Sequence, residues 1–358
     1  MVRYTFILLL FGCASVKPTT NFSFDNKFIQ YEGRVGHTPE AAELYWSGTT
    51  VRLRFKGTGI KALMKDWNGQ NYYNVIIDGQ LVSRIKPDST LRYYALAENL
   101  PKGTHTVELF KRTQIHKEYK RGYTRLYGFE VNGKLLPPPP LKKRKMEFYG
   151  NSVTCGHAIE DTTGGDSGAS QYENNYLAYG AVTARHFNAQ YHCIAKSGIG
   201  LMVSYAPAIM PEMYNLLNPF DSTSRWDFSK YTPNIVVVNL LQNDNGIIPR
   251  PELDAFKRRF GTKQPTDTDI VNAYQAFIRQ LRTHYPNAHI ICALGSMNTT
   301  QEGARWPGLV QQAVTGLNDK KVYTHFFKYM GRPAHPRVKD NAAMAESLIA
   351  FIEKNIVW

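Results

Sequence analysis

Cysteine is scarce in this chain: four thiols in 358 residues, Cys13, Cys155, Cys193 and Cys292, widely separated and without a CxxC pair. Such spacing suggests neither a disulfide framework nor a thiolate zinc site. Cys193 and Cys292 lie in apolar runs and read as buried thiols. HExxH and other close His/Asp/Glu ligand sets are also missing, so neither a catalytic metal nor another cofactor is expected. Long hydrophobic runs are absent as well. Tyr4 to Gly12 is only nine residues, where a membrane span needs roughly 20, and everything later is broken by polar groups. Acidic residues are few: Asp and Glu number 29 against 43 Lys and Arg, a net charge of +14. That excess favours association with anionic surfaces or polymers without specifying chemistry. Its two clusters, Lys111 to Arg125 and Lys142 to Lys145, match no helix-turn-helix, zinc-finger or RNA-binding motif, so nucleic acid is not an expected partner.

What is present is a large potential core. A hydrophobic fraction of 43%, with 22 Tyr, 18 Phe and 5 Trp, excludes wholesale disorder. At about 150 residues per domain, the length suggests two domains. Residues 1–13 form an address: Arg3, the apolar stretch Tyr4 to Phe11, then Gly12 and Cys13. Leu10-Phe11-Gly12-Cys13 resembles a bacterial lipobox, although Phe11 is bulkier than the usual residue. The resemblance implies cleavage before Cys13, lipidation of its thiol, and an exported protein of the periplasm or cell surface, with membrane contact only through that anchor.

Residues 22–136 read as an antiparallel β-sandwich. The runs Val51 to Phe55, Tyr73 to Ile77 and His105 to Phe110 alternate with period two, and Asp78-Gly79 is a hairpin-turn signal. Short strands at regular spacing suggest a sandwich, with the jelly roll as a variant. Residues 137–145 read as a linker, because Pro137 to Pro140 impose a stiff extended segment. From 146 to 358 the pattern changes to α/β. Apolar runs at Lys145 to Tyr149, Gln190 to Ile194, Asn234 to Leu240 and His289 to Leu294 alternate with helical patterns. The last of these carries Ala342, Ala345, Leu348, Ile349 and Ile352 on one face. Strand–helix alternation implies a parallel sheet covered on both sides, with reactive residues in loops beyond the strands' carboxyl ends.

Four such loops hold candidates. Ser152 follows the first run between small and polar neighbours, where a helix-capping serine is the ordinary alternative. Gly198, with Gly200 as fallback, follows the second and lets a backbone N–H approach a ligand, unless it is merely a turn. Asn243 follows the third and offers a side-chain donor. His335 precedes the final helix and has the chemistry to take and return a serine proton near neutral pH.

The order of these four resembles the four blocks of the SGNH hydrolase superfamily. A sandwich in front, carrying Gly33-Arg34, Phe55-Lys56-Gly57-Thr58 and Val75-Ile76-Ile77-Asp78-Gly79, and Ser152-Val153-Thr154-Cys155-Gly156 in the first block, resemble carbohydrate esterase family two over roughly residues 30 to 358. That resemblance implies a three-layer α/β/α hydrolase domain behind a jelly-roll-like sandwich. It also implies removal of O-acetyl groups from plant polysaccharides or their fragments, such as xylan or glucomannan. Ser152 would be the nucleophile and His335 its base, with the Ser152 N–H, the Gly198 N–H and the Asn243 side chain as oxyanion hole. Asn151 and Leu241 stand where the superfamily usually has Asp and Gly. Arg332 stands where many relatives carry the carboxylate that orients the imidazole, so a Ser-His dyad is expected and no catalytic acid is assigned. Gly165-Asp166-Ser167-Gly168, which mimics two nucleophile loops, is set aside because no strand holds it. Trp306 and Tyr205 are candidates for stacking on sugar rings. A monomer is expected. Two other functions stay open: a non-catalytic carbohydrate-binding protein, and a hydrolase of lipid or thioester acyl chains.

Overall fold

The computed structural model describes residues 19–117, 120–332 and 334–358. Cys13 and the segment before it lie outside the described residues. Among the described residues, ten strands come first: β1 (Thr20–Ser23), β2 (Gln30–Glu32), β3 (Val35–His37), β4 (Ala42–Leu44), β5 (Thr50–Asp66), β6 (Tyr73–Ile77), β7 (Gln80–Ile85), β8 (Arg92–Ala97), β9 (Gly103–Lys111) and β10 (Thr124–Leu136). All pair antiparallel. The 17-residue β5 exchanges neighbours along its length, pairing β9 from Thr50 to Gly57 and β8 from Ile60 to Met64. β10 runs beside both stretches. Where the partner changes, Gly57 and Gly133 cross so closely that a Cβ on either would lie 2.0 Å from a carbonyl oxygen of the other strand. A side chain there would force the strands apart, which is why glycine occupies both places. One sheet thus folds over an apolar interior that includes Leu53, Phe55, Met64, Val75, Leu109 and Val131. Asp78 (φ +51°) and Gly79 (φ +81°) make the two-residue hairpin between β6 and β7 that the Asp-Gly pair predicts.

A parallel sheet follows, made of β11 (Arg144–Gly150), β12 (Ala189–Ala195), β13 (Ile235–Asn239), β14 (His289–Leu294) and β15 (Val322–Phe326), in spatial order β12-β11-β13-β14-β15. Its helices are α1 (Ser152–Cys155), α2 (Tyr179–His186), α3 (Met210–Met213), α4 (Gln242–Ile247), α5 (Asp254–Phe260), α6 (Asp267–His284), α7 (Trp306–Leu317) and α8 (Val338–Asn355). The sequence Ile-Val-Val-Val of β13 is fully buried because both faces are covered. Val236 and Val238 pack with Tyr149, Ile290 and Phe277 of α6. Val237 points the other way, to Phe148, Ile291 and Leu348 of α8. On α8 the buried stripe is Asn341, Met344, Ala345, Leu348 and Ile352. Ala342, expected on that face, is exposed, because Met344 occupies the position beside Ala345.

The two sheets are joined by charge in a dry setting. Arg34, fully buried ahead of β3, donates to the Tyr214 and Leu216 carbonyls at 2.6 and 3.0 Å and to Glu147 Oε1 and Tyr149 Oη at 3.1 Å. Glu147, in the middle of β11, also accepts from Tyr149 and Tyr285 at 2.7 and 2.6 Å. Burial by itself would raise that carboxyl, but Arg34 and the other donors outweigh it and bring it down from 4.5 to about 2. Among the described residues, no helix is long and apolar enough to cross a membrane.

Candidate active site

The neighbours of β11 lie on opposite sides of it, β12 and β13, so the connections leaving its carboxyl end diverge and open a crevice there. Asn151 and Ser152 sit at that point. Asn151 caps α1, accepting the Val153 N–H at 3.1 Å, and it fills the place usually held by Asp in the superfamily with an ordinary capping amide. Ser152 is the first helical residue, so its own N–H has no intrahelical acceptor. Its Oγ lies 2.8 Å from His335 Nε2, although the two residues are 183 positions apart.

The imidazole is oriented from a quarter that sequence reasoning discarded. His335 Nδ1 lies 3.0 Å from Asp166 Oδ2, and the His335 backbone N–H donates to the same carboxylate at 2.9 and 3.1 Å. Arg337 completes the arrangement at 2.8 Å from Asp166 Oδ1. The expectation of a Ser-His pair without a carboxylate is therefore corrected: the Gly165-Asp166-Ser167-Gly168 stretch contributes its aspartate, not its serine. No strand holds this loop, as expected, yet side chains do. Asp161 accepts the Thr163 and Ser167 N–H groups at 2.8 Å each, and Arg121 donates to the Gly168 carbonyl at 3.1 Å. Asp166 itself adopts φ +52°, a left-handed conformation that Asp tolerates better than most residues. Arg332 points elsewhere, forming an ion pair with Asp340 at the start of α8.

Electrostatics follow from this geometry. Burial lowers the His335 imidazole below its ordinary 6.5, and the hydrogen bond to Asp166 works in the opposite direction. Burial would raise Asp166, but the donors on His335 and Arg337 outweigh it and hold the carboxyl well below the usual range. The result is a neutral base beside an ionised carboxylate near pH 7.

Ser152 and His335 open onto a cavity of about 330 Å³ whose lining includes Gly198, Tyr205 and Asn243. Gly198 takes φ +77°, which favours glycine. Gly200, the fallback, is otherwise engaged, since its N–H donates to Ser204 Oγ at 2.9 Å. One amide hydrogen of Asn243 goes to the Ile199 carbonyl at 2.6 Å, leaving the second for the cavity. Asp244 fastens the same loop by accepting the Leu201, Met202 and Val203 N–H groups at 2.9, 2.7 and 3.1 Å. Leu241, where glycine is usual, holds φ +73° just ahead of α4. Tyr205 is half exposed at the cavity rim, its hydroxyl receiving Arg250 at 2.9 Å. Among the described residues, no three His, Cys, Asp or Glu side chains converge to hold a metal ion.

In overall fold the chain is similar to a solved family two carbohydrate esterase from Clostridium thermocellum, in complex with cellohexaose. The TM-score is 0.80, with 34% identity over 91% of this chain and 98% of that one. This chain belongs to carbohydrate esterase family two. The "Carbohydrate esterase 2 N-terminal" family matches residues 31–139, much of the antiparallel domain. "Cellulase/esterase CelE" of Acetivibrio thermocellus is 35% identical over 350 residues, 93% of this chain. The match spans 40% of that longer protein. An "Acetylxylan esterase / glucomannan deacetylase" of Cellvibrio japonicus is 26% identical over 96% of this chain and 93% of its own length.

Within this family two fold, Trp306 is not a cleft residue. It is 3% exposed in the first turn of α7, packed in the core, and its indole N–H donates to Asn245 Oδ1 at 2.7 Å. Its job is to fasten α4, the helix that carries Asn243. Sequence reasoning also missed His157, whose ring stands edge-on to His335 with centroids 4.8 Å apart, and Glu173, which faces His157 Nδ1 at 3.1 Å. Neither belongs to a recognisable motif.

Proposed function

We propose that this protein is a serine esterase that removes O-acetyl groups from plant cell-wall polysaccharides or their oligosaccharides, xylan and glucomannan among them. The observation that carries the reading is the continuous line Ser152 Oγ, His335 Nε2, His335 Nδ1, Asp166 Oδ2, with links of 2.8 and 3.0 Å, ending in a small open cavity. Neutral His335 takes the Ser152 proton as Oγ attacks the acetyl carbonyl carbon. The developing imidazolium is met by the Asp166 carboxylate, and the oxyanion by the N–H groups of Ser152 and Gly198 and the free amide hydrogen of Asn243. His335 then protonates the departing sugar hydroxyl. A water molecule, deprotonated in turn by His335, attacks the acetyl-serine carbonyl, and His335 returns that proton to Ser152 Oγ as acetate leaves.

The names of the relatives, "Acetylxylan esterase / glucomannan deacetylase" and "Cellulase/esterase CelE", support an acetylated glycan as substrate. Tyr205 at the rim supplies an aromatic surface for a sugar ring. A binding-only protein without a carboxylate beside its histidine is disfavoured, because Asp166 Oδ2 stands 3.0 Å from His335 Nδ1. We further propose export and a lipid anchor at Cys13, on the lipobox-like Leu10 to Cys13. The chain acts as a monomer in this reading.

Acetate release from acetylated xylan and glucomannan tests the assignment. Wild type is expected to release acetate and Ser152→Ala to lose at least about 10³-fold in rate; equal rates would end the claim. Octanoyl esters should react far more slowly than acetyl esters, and the reverse preference would favour a lipid acyl hydrolase. Anchoring predicts palmitate incorporation in a bacterial host that vanishes in Cys13→Ser.

A further inference from the structure

Among the described residues, the antiparallel domain reaches the candidate active site through the segment that follows β9. Gln114 is fully buried there and spans the domain boundary with both ends of its amide. Its Oε1 accepts the Ser197 backbone N–H at 2.7 Å, and its Nε2 donates to Ser197 Oγ at 2.6 Å. Ser197 immediately precedes Gly198, so this amide grips both the main chain and the side chain of the residue next to the proposed oxyanion donor.

Gln114 is itself clamped. Glu173 Oε1 accepts its second Nε2 hydrogen at 2.8 Å, and Glu173 Oε2 accepts its backbone N–H at 3.0 Å. Arg121, from the same domain as Gln114, lies 2.6 Å from Glu173 Oε2. Burial would raise Glu173, but Arg121 and the remaining donors outweigh it and bring the carboxyl to about 2, so it accepts at every working pH. The same Oε1 also faces His157 Nδ1 at 3.1 Å, and His157 stands against His335. With both amide ends engaged, Gln114 has a single orientation consistent with its neighbours, because a flipped amide would set its NH₂ against the Ser197 N–H.

We infer that Gln114 is a positioning residue for the oxyanion hole, so that the antiparallel domain supplies part of the catalytic framework. The inference rests on the assignment of Ser152 and Gly198 to ester hydrolysis. Gln114 touches no reacting atom in this account. It sets where the Gly198 N–H stands, and displacements of about 1 Å in such a group cost up to about 100-fold in rate. The effect falls on the transition state, since the oxygen gains its charge only there.

The test compares full-length wild type, Gln114→Ala and Gln114→Met, the last preserving side-chain volume should the alanine variant fold poorly. Active-site titration with a fluorophosphonate to completion counts competent enzyme, and rates are expressed per titrated site. On 4-nitrophenyl acetate, kcat is expected to fall about 10- to 100-fold in both variants with KM within threefold. The rate constant of phosphonylation should fall by a similar factor, because the phosphonyl oxygen uses the same hole. A purely structural role would lower the number of titratable sites and leave kcat per site unchanged, and that result would overturn the inference. So would a loss confined to KM. If Ser152→Ala retained wild-type kcat, the esterase assignment itself would fall, an outcome distinct from an unaffected Gln114→Ala beside an inactive Ser152→Ala.

Discussion

Glu147 and Asp166 each bind a basic partner brought from far along the chain, and their surroundings give the two pairings opposite purposes. Around Glu147 every neighbour closes the circle: Arg34, Tyr149 and Tyr285 satisfy the carboxylate, and both members of the ion pair are without solvent exposure. Around Asp166 the circle stays open. Its side chain is 28% exposed, and the line it begins through His335 ends on a serine hydroxyl facing a cavity. A closed cluster spends its electrostatics on holding two domains in register. An open one leaves an imidazole and a hydroxyl facing a cavity, as the proposed hydrolysis requires.

This contrast can be broken from either side. The largest effect is expected at the open cluster, where Asp166→Asn should reduce kcat by about 10²- to 10⁴-fold, since an amide cannot stabilise the imidazolium and favours the wrong tautomer. A variant within threefold of wild type would mean that Asp166 is only a loop anchor. Next in size is Arg34→Met, which strands an unpaired carboxylate and should destabilise by about 3–5 kcal/mol in chemical denaturation. Its activity per folded molecule should stay within twofold; a selective loss of kcat without loss of stability would erase the distinction drawn here.

Acid separates the clusters further. Glu147 has a folded-state value depressed from 4.5 to about 2, so its contribution to stability is complete above about pH 4.5 and lost as pH falls toward 2. His335 is lowered from 6.5, so it is the free base at neutrality, and kcat/KM should decline only as pH drops through a value below 6.5. Asp166→Asn removes an influence that raises His335 and should move that limb still lower; a shift upward would contradict the assignment. The smallest effect belongs to Tyr205→Ala at the rim, an expected rise in KM for acetylated xylo-oligosaccharides of about fivefold, the size of a lost contact of about 1 kcal/mol.

Much of the architecture was legible because its signals are periodic. Alternation in β5, β6 and β9, and the buried Val-rich β13, announced a sandwich and then a parallel sheet. β15, whose Val-Tyr-Thr-His-Phe is only half buried at the sheet edge, carried too weak a pattern to be read. At the site, the pairing of Ser152 with His335 is legible because motif order puts both in loops at one end of the parallel sheet. Asp166 escapes such a reading for a physical reason: its loop, held by Asp161, Arg121 and Arg337, has no periodicity, and the imidazole beside it lies 169 residues away. Trp306 misled because a large aromatic between two motifs looks the same whether it faces a sugar or a helix. Gln114 lies inside a run of basic residues with no periodic pattern, although Lys111, Arg112 and Arg121 of that run are buried.

Three consecutive main-chain N–H groups, those of Leu201, Met202 and Val203, close on the Asp244 carboxyl group as they would on a bound anion. Segments outside helices and sheets ordinarily trade their amide protons for deuterium within moments, because nothing shields them. These three should instead retain protium about as long as the strands they connect, so that the stretch beyond β12 would register in a solvent-labelling time course as part of the rigid interior.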